Sequence, residues 1–144
     1  MNESNHAPLE MSQQFADLVF LALDHGINSV KSGGPLVPFT VYEVNGKREL
    51  HRYAAKTVEE SVRQARLAAL ALPTTVSMCA IAYDGLVTLQ GKEYDAIIVE
   101  ASEQDKAFGV KLAQRYTPKK LFKSFQVIEN PLSLGECKPI LKPA

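Results

Sequence analysis

Four polar residues in the second half of the chain are of types that could bind or transform a small ligand: Asp84, Glu100, Gln114 and Arg115. Asp84 and Glu100 each end a run of apolar residues, and Gln114 and Arg115 lie in a later strand-like segment. A carboxylate at the end of a buried strand needs a basic partner or backbone donors. We therefore expect the two acids to cluster at one end of a sheet, with Gln114 and Arg115 close to them.

Three kinds of chemistry are compatible with this cluster. The first is a structural ion pair, either Glu100–Arg115 or Asp84–Arg115. The second is a polar pocket for a small ligand. The third is acid–base hydrolysis by paired carboxylates, which requires a separation between the two groups that the sequence does not give. The cluster is thus a candidate ligand site, and none of its members is assigned as catalytic.

The clustering depends on how the chain turns between two apolar segments. Residues 84–85, Asp-Gly, form either a tight turn or a glycine bulge within one long strand that reaches Gln90. We favour the long strand, because residues 86–90 are short for an independent one. With the hairpin tip at residues 91–92, antiparallel pairing places Tyr83 opposite Glu100.

Other residues with chemical potential are scattered along the chain. The histidines and cysteines do not share the spacing of a zinc site, which normally uses four such ligands: His6, His25, His51, Cys79 and Cys137. Apolar neighbours of Cys79 would raise its pKa rather than activate it. Neither a Gly-x-Ser-x-Gly elbow nor a phosphate-binding glycine motif is present. We expect no metal and no cofactor, and we favour a binding domain over an enzyme.

The composition is that of an ordinary globular domain. The chain has 144 residues, 46% of them hydrophobic, and 16 basic residues balance 16 acidic ones. A short basic run, Lys119-Lys120 with Lys123, is interpreted as a solvated strand end, so we expect no nucleic-acid partner. The N-terminus lacks signal-peptide features, and the longest apolar runs fall short of the roughly 20 residues of a membrane span. These features predict a cytoplasmic protein without membrane contact.

Two helices are predicted from apolar periodicity and capping signals. The first begins at Leu9 or Glu10 and continues to about Val30, with a bend or early end at His25-Gly26. The second covers residues 57–72, with Thr57 as N-cap and Glu60 completing a capping box. Between them, Asn45-Gly46 predicts a hairpin turn. Strand-like segments follow the second helix, ending with a candidate strand over residues 121–128.

The resulting order, α-β-β-α-β-β-β, predicts an α+β domain with two helices and an antiparallel sheet of five or six strands. We expect residues 1–8 to be a flexible tail, residues 9–128 to form the domain, and residues 129–144 to be an extended, proline-containing tail. The element order resembles that of the profilin-like and roadblock-type folds, in which helices pack on a five-stranded sheet. That resemblance implies a sensor, scaffold or dimerisation module.

The first helix carries more apolar surface than packing on one sheet requires. Phe20, Leu21 and Leu23 extend its apolar arc well around the helix. We therefore expect an interaction or ligand-sensing domain that acts as a homodimer through these three residues. The alternatives are a small enzyme or metabolite-binding protein that uses Asp84, Glu100 and Arg115, and a subunit that docks an unknown protein partner.

Overall fold

The protein is built from one antiparallel sheet with a helix on each face. The computed structural model describes residues 11–144. Its elements, in chain order, are α1 (Gln13–Lys31), β1 (Phe39–Val44), β2 (Lys47–Arg52), α2 (Val58–Leu70), β3 (Val76–Leu89), β4 (Lys92–Glu103), β5 (Gly109–Thr117), β6 (Gln126–Val127) and β7 (Leu132–Cys137). The predicted α+β class and element order are confirmed, and the sheet has seven strands.

The sheet is ordered β2-β1-β3-β4-β5 from one edge to the other, and two short strands cover the outer edge of β5. β6 pairs with the C-terminal end of β5 at Tyr116 and Thr117. β7 pairs with its N-terminal half, from Gly109 to Ala113. The last long strand therefore does not present an open edge along most of its length.

Strand β3 separates the two layers of the core. Met78, Ala80 and Ala82 belong to the cluster that packs against α1, whereas Cys79 and Ile81 belong to the cluster that packs against α2. Successive side chains of a strand point to opposite faces, so this division places α1 and α2 on opposite sides of the sheet. Burial on both faces explains why β3 is apolar at consecutive positions.

Helix α1 begins at Gln13, later than predicted. The Ser12 side chain accepts a hydrogen bond from the Phe15 amide at 3.2 Å, which is a typical N-cap. The flexible tail predicted for residues 1–8 lies outside the described residues. No helix in the described part of the chain, residues 11–144, is long and apolar enough to cross a bilayer.

Of the predicted bend or early end at His25-Gly26, the early end is wrong, because α1 continues through both residues to Lys31. Gly26 instead marks the closest approach of the helix to the sheet. A Cβ atom at this position would lie 2.6 Å from Cγ2 of Ile97 on β4. The glycine is therefore required for packing and not for a turn.

The apolar arc of α1 divides into a buried and an exposed part. Leu23, which we predicted to be an interface residue, is buried in the chain's own core with Leu18 and Val19. That assignment is wrong, since Leu23 lies one turn from Val19 on the same face of the helix. Phe20 and Leu21 both remain 42% exposed, so they are the part of the arc available to a partner.

The C-terminal residues differ from the predicted tail. β7 lies between Pro131 and Pro139, and Ile140 and Leu141 are buried beneath α2. Proline is tolerated beside an edge strand, because the missing N–H then removes no ladder hydrogen bond. Residues 132–141 are therefore part of the same domain. Most of the candidate strand over residues 121–128 is a loop, and only Gln126–Val127 pairs as a strand.

Candidate functional site

The four residues predicted to cluster are divided between the two faces of the sheet. Asp84 accepts hydrogen bonds from the Tyr116 hydroxyl, 2.8 and 2.9 Å from its two oxygens, on the face that α1 covers. Gln114 shares that face, two residues before Tyr116 on β5. Glu100 binds Arg66 of α2 on the other face. Arg115 directly follows Gln114 on β5, so it points to the same face as Glu100. No single site includes all four.

The β3–β4 hairpin is shifted relative to the predicted register. Its tip is Gln90-Gly91, both with positive φ, and Leu89 pairs with Lys92. β3 is one long strand as favoured, and its pairing with β4 is continuous through Gly85, without the predicted bulge. Glu100 therefore lies opposite Ile81, while Tyr83 reaches the carboxylate diagonally from two residues further along the strand.

Gln114 and Arg115 both contact the segment that follows β6. The Gln114 side-chain amide donates to the carbonyl oxygens of Ile128 and Glu129, at 3.2 and 3.0 Å. The Arg115 guanidinium lies 4.8 Å from the centre of the Tyr94 ring and 4.0 Å from the Glu129 carboxylate. Neither predicted ion pair, Glu100–Arg115 or Asp84–Arg115, forms among the described residues.

The Asp84–Tyr116 pair fits a structural role. Burial raises the pKa of Asp84, and the nearby charge of Asp95 adds to this effect, although the Tyr116 hydrogen bond opposes it. Burial also raises the pKa of Tyr116, as does its hydrogen bond to Asp84. The phenol therefore remains a neutral donor at neutral pH, and Asp84 is occupied by this internal contact.

A two-point salt bridge links α2 to β4. Arg66 donates through Nε to one oxygen of Glu100 at 3.2 Å and through Nη2 to the other oxygen, which also accepts from the Tyr83 hydroxyl. The Glu100 side chain is only 7% exposed, whereas that of Arg66 is 47% exposed. A two-point contact of this kind fixes the guanidinium plane, because both parallel N–H groups are engaged.

The environment of Glu100 keeps its carboxylate ionised. Burial on its own would raise the pKa of Glu100, but hydrogen bonds from Arg66 and Tyr83 outweigh it, and the net pKa is lowered. Burial and the hydrogen bond to Glu100 both raise the pKa of Tyr83. Glu100 is thus a satisfied anion and not a proton donor poised near neutral pH.

A cleft opens beside this contact, between α2 and the segment that follows β7. We call it the α2 cleft, and its volume is about 370 Å³. The residues that line it are Arg66, Leu70, Glu100, Lys111, Cys137, Lys138, Pro139 and Ile140. Lys111 lies opposite Glu100 in the β4–β5 register. Three cations against one paired carboxylate make the cleft electropositive, and its other lining side chains are mostly apolar.

Neither cysteine has the properties of a nucleophile. Burial raises the pKa of the Cys79 thiol to about 12. At the cleft, burial and the nearby Glu100 raise the pKa of Cys137, despite opposing effects from Lys111 and Arg66. In residues 11–144, no group of three or more His, Cys, Asp or Glu side chains is placed to hold a metal ion.

Sequence reasoning missed the three cations of the α2 cleft: Arg66, Lys111 and Lys138. A signal for Arg66 was present, because it lies four residues after Val62 and three before Ala69, and both of these are buried. An arginine inside an apolar stripe indicates a buried acid on the facing strand. Lys111 and Lys138 carry no comparable signal, since their placement depends on how β5 and β7 pair.

Comparisons with known proteins provide no assignment. No family model matches the chain, and searches among curated proteins and among solved structures likewise find no match. Functional inference for this protein therefore rests on the geometry of the α2 cleft and of the surface.

Proposed function

We propose that the protein is a non-enzymatic ligand-sensing domain that binds a small organic anion in the α2 cleft. The observation that carries this proposal is the charge of the cleft: Lys111 and Lys138 line it, and in the described part of the chain neither lysine forms an ion pair. A ligand with a carboxylate or phosphate and a short apolar body would complement both kinds of lining.

The buried contact supports binding rather than turnover. Arg66 neutralises Glu100, so the carboxylate does not repel an anion, and the same contact holds the guanidinium in the lining of the cleft. The volume lies within the usual range for small-molecule sites. Because this contact already orders Arg66, the entropic cost of immobilising that side chain when the ligand binds is reduced.

The alternative enzyme that uses Asp84, Glu100 and Arg115 has little support. Asp84 lies on the opposite face of the sheet from Glu100, and Arg115 contacts Tyr94 and Glu129 instead of either acid. General acid–base catalysis requires groups within reach of one substrate and with pKa values near the working pH. The lowered pKa of Glu100 and the raised pKa of Cys137 do not fit that requirement.

Replacement of Lys111 by glutamine is expected to weaken anion binding about tenfold, since it removes one charge-assisted hydrogen bond. Calorimetric titration with phenyl phosphate measures this effect, and benzyl alcohol serves as the neutral counterpart. Lys47→Gln is the matched control, because Lys47 lies on β2 at the opposite edge of the sheet. Equal affinities for Lys111→Gln and the unmodified protein would contradict the proposal.

We further propose that the domain forms a homodimer through the exposed part of α1. Phe20 and Leu21 are adjacent apolar side chains on a helix whose other side is fully packed. Pairing the same helix from two copies would cover them around a two-fold axis. The two free thiols, Cys79 and Cys137, favour a reducing compartment such as the cytoplasm for this assembly.

The Phe20→Asp variant is expected to be monomeric, because a buried, unpaired carboxylate at the centre of an interface is strongly unfavourable. Light scattering at micromolar concentration measures the mass of both proteins. Leu67→Asp is a suitable control, since Leu67 is an exposed apolar residue of α2 on the opposite face. An unmodified protein that is already monomeric under these conditions would refute the dimer.

A further inference from the structure

A tight turn after β5 presents two large apolar side chains to solvent. The Lys120 amide donates to the Lys123 carbonyl at 2.9 Å, and the Lys123 amide donates to the Lys120 carbonyl at 3.1 Å. These two hydrogen bonds close a hairpin with Leu121 and Phe122 at its tip, where they are 88% and 93% exposed. We call residues 119–123 the lysine hairpin.

We propose that the lysine hairpin is a membrane-contact site that places Leu121 and Phe122 among the lipids of an anionic bilayer surface, with its lysines at the level of the headgroups. Aromatic and leucine side chains with neighbouring lysines are the usual chemistry of interfacial membrane contact. The sequence predicts no membrane contact from the absence of a signal peptide and of a membrane span, and neither feature is needed for association with a bilayer surface.

The charge of the hairpin is complementary to such a surface. Lys119, Lys120 and Lys123 flank the tip, and Lys31 at the end of α1 lines the same shallow hollow. None of these lysines forms an ion pair with any acid in the described part of the chain. Basic residues near an anionic leaflet each add to membrane affinity, and their long side chains can extend to phosphate groups.

The shape of the hairpin favours a bilayer over a protein partner. Both tip side chains are almost fully exposed, so a folded partner would need a matching pocket for two adjacent side chains, whereas a bilayer accommodates two exposed apolar side chains without one. The reciprocal Lys120–Lys123 hydrogen bonds already satisfy the backbone at the base of the turn. Two apolar residues and a few charges predict reversible association and not permanent anchoring.

This surface is separate from the α2 cleft. The hairpin follows the C-terminal end of β5, whereas Lys111 of the cleft lies near the start of that strand. Membrane contact would leave the cleft open to the surrounding solution. The two proposals can therefore fail independently.

Co-sedimentation with vesicles tests this proposal. We expect the protein to bind vesicles of phosphatidylcholine with about one third phosphatidylserine, and to bind pure phosphatidylcholine vesicles much more weakly. Phe122→Ser should lower the affinity tenfold or more, and each lysine-to-glutamine change in the hairpin about fivefold. Raising the salt concentration should weaken binding, since exposed charges are screened.

The matched control is Phe108→Ser. Phe108 is also a largely exposed phenylalanine, 58% accessible, but it lies in the loop between β4 and β5, at the other end of the sheet. Its replacement should leave vesicle binding unchanged. Both side chains are outside the core, so thermal unfolding should be similar for the two variants and the unmodified protein.

A fluorescent reporter distinguishes insertion from loose attraction. The chain has no tryptophan, so Leu121→Trp introduces a single tryptophan at the tip, whose emission can be excited selectively over that of the tyrosines. We expect its emission to shift to shorter wavelength when phosphatidylserine vesicles are added. Absence of binding, equal binding by Phe122→Ser, or an unshifted emission would each overturn the proposal. A further contradicting result would be an unmodified protein that does not bind vesicles but forms an oligomer in solution, which Phe122→Ser abolishes. That result would assign the tip to a protein interface.

Discussion

The Arg66→Met variant is expected to lose about 2–3 kcal/mol of unfolding free energy at neutral pH. Removing one partner of a buried pair leaves an uncompensated charge, which costs about 3–5 kcal/mol when both groups are fully buried. Arg66 is half-exposed, so water can partly replace it and the effect is smaller. Methionine has a similar helix propensity and keeps the apolar part of the side chain. The difference in unfolding free energy, measured with urea, therefore reports the loss of the guanidinium group.

Two variants control for this result. Arg63→Met removes the solvent-exposed Arg63–Glu60 pair on the same helix, and the stability of this variant should match that of the unmodified protein. Arg66→Met combined with Glu100→Met removes both charges, and part of the lost stability should return, because the Tyr83 hydroxyl still loses its acceptor. If Arg63→Met were as destabilised as Arg66→Met, the effect would come from the helix and not from Glu100.

The same pair predicts how stability depends on pH. The pKa of Glu100 is lower in the folded protein than in the unfolded chain. Its contribution is therefore present above the ordinary glutamate pKa, roughly 4.3, and is lost as the pH falls through the lowered folded value. In Arg66→Met, burial prevails and the pKa rises, so the stability gap between the two proteins should close on acidification. A gap that stays constant from neutral to acidic pH would contradict this account of Glu100.

The Gly26→Ala variant is expected to destabilise the fold by about 2 kcal/mol, even though alanine is the better helix former by about 1 kcal/mol. The added Cβ would lie 2.6 Å from Cγ2 of Ile97, which is fully buried. A β-branched side chain on a strand cannot rotate away easily, so the helix must move. Thermal unfolding with chemical denaturation measures the difference.

Gly34→Ala is the matched control, because a Cβ at Gly34 meets no atom within 4 Å. Its stability should be unchanged or slightly increased. Ile97→Ala should cost less in the Gly26→Ala background than alone, since it removes the group that the new methyl would strike. Additive effects of the two substitutions would show that α1 and β4 do not meet at this point.

Local signals identified much of the fold. Asn45-Gly46 forms the predicted turn, with both residues at positive φ and Val44 paired with Lys47. Thr57 caps α2 by accepting a hydrogen bond from the Glu60 amide at 3.1 Å. The Glu60 side chain, however, binds Arg63. Such features depend on neighbouring residues only, so the sequence is sufficient to predict them.

The C-terminal region was harder to predict. Its prolines argued against a strand, and β7 forms because β5 offers an unpaired edge for residues Leu132–Cys137. Pairing between two strands that are separated in the chain by residues 118–131 is set by tertiary structure and not by local propensity. The position of Ile140 beneath α2 follows from that pairing, as does much of the wall of the α2 cleft.

Strand alternation explains why the predicted cluster does not form. Even in the predicted register, Tyr83 opposite Glu100 places both on one face of the sheet, so Asp84 must point to the other. The observed register of the β3–β4 hairpin differs from the predicted one, but it still places Asp84 and Glu100 on opposite faces of the sheet. The partner of Glu100 is Arg66, because α2 covers the sheet face on which Glu100 lies and a buried carboxylate needs a partner there.

The central claim, that the α2 cleft binds a small organic anion, is tested most directly by amide chemical-shift mapping. Uniformly labelled protein would be titrated with phenyl phosphate and, in parallel, with benzyl alcohol. We predict saturable shifts for the amides of Glu100, Lys111, Cys137 and Ile140 with the anion alone, and loss of these shifts in Lys111→Gln. Equal responses to the neutral compound, or shifts confined to other surfaces, would contradict the claim.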